Sequence, residues 1–223
     1  MDQSPTAVQI NLPSEHKKWF VAFALALGAL PFIAVYVYAF LGTISTPVSW
    51  TVITAGVAGV LLATSIGAGS VSYYTGWPNL KHGYQKQIGE LAFWLCFVYC
   101  LQLLVVFPER YFYGFFDNFL TADILLGLSA MAIFGTMTLV QHPRLREVLG
   151  WERIKFILGF GFVGYALLVL RAIALEGHIW AEWFQTLDGL PTTRFVLSAL
   201  ALIVLLLRAS IIVHRNVFPR EGK

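Results

Sequence analysis

The chain has 223 residues, of which 58% are hydrophobic and only 12% charged, with a mean hydropathy of +0.72. Soluble domains carry about 25% charged residues, so this composition excludes a water-exposed globular domain and points to a bilayer. The net charge of +3 is small and spread over several segments, which excludes a nucleic-acid-binding surface and leaves the basic residues as topology signals.

A hydrocarbon core about 30 Å thick takes roughly 20 apolar residues per helix. Residues 1–18 read as a polar N-terminal segment. The apolar run that follows is too long for a signal-peptide core and is expected to remain as the first span. Six spans are expected near 19–41, 49–73, 88–107, 119–140, 153–174 and 193–213, forming one all-α bundle over 19–213 with a basic tail over 214–223. Pro31 lacks a backbone donor and should kink span 1. In span 2, Ala55, Gly59, Ala63 and Gly67 recur every four residues, a spacing that lets helix backbones approach closely. Gly159, Gly161 and Gly164 thin span 5 in the same way. Both patterns read as packing inside the bundle, with a seam for another subunit or a flat cofactor as the alternative.

Basic residues set the expected orientation. Lys17 and Lys18 precede span 1, Lys81 and Lys86 lie between spans 2 and 3, and Arg144, Arg146, Arg153 and Lys155 surround the connection after span 4. Arg215, Arg220 and Lys223 follow span 6, which places eleven of the fifteen basic residues on one side. Arg110, Arg171 and Arg194 fall on the other, and Arg208 lies within span 6, from where it can snorkel to the head groups. This asymmetry predicts both termini in the cytoplasm, for a multi-pass protein of the cell membrane or an energy-transducing membrane.

Charges inside spans are costly and mark candidate sites. Asp123 stands one turn inside span 4 and Arg171 near the outer end of span 5. Their similar depth predicts an intramembrane ion pair, with a proton, quinone or transport path as the sharper reading. Cys96 and Cys100 are four apart and share one helical face; nothing nearby in sequence lowers a thiol pKa, so they read as inert core, as do Met131 and Met137. His82, His142 and His214, together with His16, fall on the basic side. The first three are candidate ligands for a haem, quinone or pigment at the cytoplasmic rim, although they come from separate segments without the tight spacing of a metal site.

The outer loop FPERYFYGFFDNF (107–119) has seven aromatic residues in thirteen. It is either an interfacial belt or a docking surface anchored by Tyr111, Phe112 and Phe115. The stretch HIWAEWFQTLDGLP (178–191), with Trp180 and Trp183, is expected to lie on the same face as a short amphipathic segment. There is no GxGxxG, P-loop or HExxH pattern. GAGS (67–70) has no histidine at matching depth, and span 6 has no mid-span lysine for a retinal Schiff base.

The segments HGYQKQIGELAFWLCFVYCLQLL (82–104), HPRLREVLGWERIKF (142–156) and LGWERIKFILGFGFVGYALLVLRAI (149–173) resemble the ferric reductase-like transmembrane domain family over roughly residues 50–180. The resemblance implies a six-helix bundle holding b-type haem between spans 3 and 5, with electrons crossing the membrane. Haem iron takes axial ligands such as histidine. Here Tyr99 stands where a span-3 histidine is expected, span 5 offers Lys155 at its start and then Leu168 and Arg171, and no histidine lies mid-span. No cofactor is therefore expected in the bundle core.

The expected function is a non-catalytic, haem-less membrane subunit, packed against a larger electron-transfer or photosynthetic complex. Its partners would be membrane lipids and other membrane-protein subunits. The alternatives are a membrane oxidoreductase using the rim histidines, and a small transporter using Asp123 and Arg171.

Overall fold

A computed structural model of the protein describes residues 14–42, 44–76 and 84–217. Among them every regular element is a helix: α1 (Glu15–Leu41), α2 (Pro47–Thr75), α3 (Gln85–Val106), a π-helical turn (Glu109–Tyr113), α4 (Phe115–Asn118), α5 (Ala122–Val140), α6 (Pro143–Leu149), α7 (Trp151–Gly159), α8 (Gly161–Thr186) and α9 (Thr193–Val217). Among the described residues, six helical stretches are long and apolar enough to cross a membrane: α1, α2, α3, α5, the α7–α8 pair, and α9.

Local chemistry sets the helix ends. Thr46 caps α2, its hydroxyl accepting from the Ser49 amide at 3.1 Å, and Pro47 occupies the first turn, where its missing N–H costs nothing. Gly76 closes α2 at φ +71°, its amide donating to Ser72 O. A left-handed cap of this kind favours glycine. α1 runs unbroken through Pro31.

α2 is the central helix, with fourteen of its 29 residues buried. It packs against α1, α3 and α9, while α5 packs against α8, and α9 joins the two groups by touching both α2 and α8. The small residues of α2 face inward. A methyl at Gly59 would stand 3.0 Å from Leu197, and one at Gly67 3.4 Å from Val204, both on α9. The four-residue pattern therefore belongs to internal packing. Gly161 and Gly164 serve the α5–α8 contact in the same way, against Met137 and against Ile133 and Phe134. The outside of the bundle stays apolar, with Phe20, Phe32, Val105 and Leu206 largely exposed.

Two expectations change. The fifth span extends to Thr186, so Trp180 and Trp183 ride on the last turns of α8 and not on a separate surface segment. The outer loop is itself helical, wound into the π-turn and α4. The polar segment 1–13, His82 and the end of the tail (218–223) lie outside the described residues.

Candidate functional site

The bundle has two unlike ends. One, the basic end, carries the starts of α1 and α3, the ends of α2 and α9, and α6. The other, the aromatic end, carries the π-turn, α4, the start of α5 and the α8–α9 connection.

Asp123, in the first turn of α5, is only 3% exposed. A carboxylate that deep must be paired, and three side chains meet it. The Arg171 guanidinium of α8 reaches Oδ1 through Nη2 at 2.5 Å and through Nε at 2.7 Å. The same Nε lies 3.0 Å from the Asp123 carbonyl. Arg110 Nη2 is 2.9 Å from Oδ2, and the Tyr111 hydroxyl donates to Oδ2 at 2.5 Å. Two guanidinium groups thus share one carboxylate.

The sequence of α5 makes room for this. Gly127 lies one turn beyond Asp123 and on the same face; a methyl there would stand 3.2 Å from Arg171 Nε. The loop is shaped to deliver Tyr111. The Gly114 amide donates to Glu109 O at 2.9 Å, closing the π-turn. A Cβ on Gly114 would stand 2.5 Å from that same oxygen, so only glycine fits. Burial raises the Tyr111 phenol to about 12, and its bond to Asp123 adds to the rise. It therefore stays a proton donor at any physiological pH.

Behind this cluster opens a cavity of about 400 Å³ between α2, α3, α5, α8 and α9. Its walls are mainly apolar, and Asp123, Arg171, Tyr111 and Arg194 stand at its aromatic-end side. Tyr99 and Leu168, the two positions where the family resemblance would put ligands, both line it, as do Cys96 and Cys100. Among the described residues no histidine lines it.

A second polar knot closes the α8–α9 corner. Glu176 takes Arg194 Nη1 on Oε1 at 2.5 Å and the Thr192 hydroxyl on Oε2 at 2.6 Å. Trp180 Nε1 donates to Thr192 Oγ1 at 3.1 Å. The rings of Trp180, Trp183 and Phe184 all pack on Phe195. Trp180 and Trp183 are thus half-buried in the corner. Sequence reading missed Glu176 and Thr192. The available signal was Glu176 and Trp180, four residues apart on one helical face.

The remaining expected site residues lie elsewhere. His142 is exposed at the start of α6, and His214 is exposed with its ring 6.1 Å from that of Tyr73. Both are at the basic end, away from the cavity. Among the described residues no group of three or more His, Cys, Asp or Glu side chains is gathered as a metal site. In the outer loop, Tyr111 and Phe115 turn inward and line the cavity, while Phe112 stays exposed.

What the described residues define is an all-α bundle with six helical stretches of membrane-crossing length and a buried charged cluster beside an apolar chamber. No protein-family model matches the chain, and no curated protein matches it.

Proposed function

We propose that the protein is a non-catalytic, haem-less, ferric-reductase-like subunit of the cell membrane or an energy-transducing membrane. Both termini are cytoplasmic, and the aromatic end docks onto a neighbouring membrane protein of a larger assembly. The observation that supports docking is the division of labour within the outer loop. Tyr111 and Phe115 hold the loop from inside, whereas Phe112, Tyr113, Phe116 and Leu120 are between 63% and 88% exposed. The Tyr111 and Arg110 bonds to Asp123 and the Asn118 side-chain bond to Gly114 O at 2.8 Å hold the loop in one conformation. A surface ordered beforehand loses little entropy on binding, and aromatic residues dominate binding hot spots. The basic residues of the opposite end support the orientation.

Replacing Phe112, Tyr113 and Phe116 together by alanine tests the docking. The triple variant should still elute as a folded bundle yet be lost from the assembly when native membranes are solubilised and fractionated. Full co-purification with unchanged stoichiometry would overturn the reading. A single cysteine at Asp117 should be labelled from outside and one at Arg144 should not; the reverse pattern would overturn the orientation.

A further inference from the structure

The cavity behind Asp123 is larger than internal packing leaves open. Protein interiors contain few voids bigger than a water molecule, and apolar cavities of about 150 Å³ stay dry and take up a benzene-sized guest. At about 400 Å³ this one is between two and three times that size. Its walls are supplied by residues such as Ala58, Leu62, Leu103, Phe134 and Val169, which offer an alkyl chain apolar contact and little else.

The polar side has an excess of positive charge. Asp123, Arg171 and Arg194 line the cavity; Arg110 adds a second cation to Asp123, and Glu176 offsets Arg194. Among the described residues, the charged groups that line the cavity are two guanidiniums and one carboxylate. Such a site in a low-dielectric surrounding favours one more negative charge, and guanidinium groups suit carboxylate and phosphate heads.

We propose that the cavity binds a single-chain anionic amphiphile, with the chain along the apolar wall and one carboxylate or phosphate head at the aromatic-end mouth beside Arg171 and Arg194. The volume accommodates one chain, which separates this ligand from a two-chain phospholipid. The excess charge separates it from a neutral lipid or a quinone. The inference does not depend on docking to a partner.

Native mass spectrometry of the delipidated full chain tests it, with palmitate, hexadecyl phosphate, hexadecanol and decylubiquinone offered in separate titrations. One-to-one adducts are expected with palmitate or hexadecyl phosphate, and which of the two binds tighter identifies the head as carboxylate or phosphate. Hexadecanol and decylubiquinone should bind at least about ten-fold more weakly, the loss expected for one charge-assisted contact. Arg194→Gln should weaken the anionic ligand by about ten-fold, Arg194→Lys should keep most of the affinity, and Arg144→Gln at the basic end should change nothing. Ala55→Phe, which places a ring on the half-buried cavity wall, should abolish binding. If that variant does not fold, the Arg194 pair decides. Equal binding of hexadecanol, tighter binding of decylubiquinone, indifference to Arg194→Gln, or no adduct with either anion would each overturn the proposal.

Discussion

Replacing Arg171 by leucine isolates what the buried ion pair contributes. Asp123 has a side chain only 2% exposed, against 14% for Arg171 and 48% for Arg110. Removing Arg171 strips Oδ1 of both its partners, while Oδ2 keeps Arg110 and Tyr111. Breaking a buried pair from one side costs about 3–5 kcal/mol, and the surviving contacts put this variant near the lower end, about 3 kcal/mol. For a chain of this length about 1 kcal/mol moves Tm by roughly 2–4 °C, so Tm in detergent should fall by about 6–12 °C. Arg110→Leu, at a half-exposed cation, should cost about 1 kcal/mol or less. The double variant Asp123→Leu with Arg171→Leu removes both charges and should recover most of the loss, because an apolar replacement of a whole buried pair is often near neutral. Thermal unfolding of the three variants and the parent checks the ordering. An Arg171→Leu Tm within about 2 °C of the parent, or a double variant worse than the single, would refute the account of Asp123 as a carboxylate held by Arg171.

The bond from Tyr111 to Asp123 predicts a pH dependence. The folded phenol is raised from 10.0 to about 12, so its contribution is fully present below pH 10 and is lost as pH rises towards about 12. Tyr111→Phe should flatten the stability profile across that window, read by thermal melts beside a tyrosinate absorbance titration. Gly114→Ala would put a methyl 2.5 Å from Glu109 O and should open the π-turn, raising amide exchange across 109–118 while α2 stays protected. Gly161→Leu collides with Met137, 2.7 Å from the position of the new Cβ. Overpacking of this kind costs about 1–3 kcal/mol, visible as a lowered Tm. An unchanged Tm would show that α5 and α8 are not in close contact there.

Length and hydropathy alone determined the number and placement of the long helices. The expected start of α9 at residue 193 and the expected ends of α1 at 41 and α5 at 140 agree with the helices found. A run of apolar residues long enough to cross a bilayer has little choice but to be helical, since every backbone polar group must be satisfied within the segment. Asp123 and Arg171 also fall at one level in the sequence, because their distances from the helix ends are countable. Small residues every four positions marked the buried face of α2, because only close backbone approach uses them there.

The tertiary structure decided which face of each remaining helix points inward. In a soluble helix an apolar stripe opposite a polar face marks the core. In these helices both faces are apolar, so Leu168 facing a cavity and Leu206 facing outward look alike in the sequence. The same ambiguity hid the roles of Tyr111 and Phe115, which sit among exposed aromatic neighbours but turn inward because Asp123 and the cavity lie on that side. The helical continuation of α8 to Thr186 was equally hidden. Glu176, Trp180 and Thr192 stabilise it only once α9 folds back beside it, a contact sixteen residues distant in sequence that no local pattern encodes.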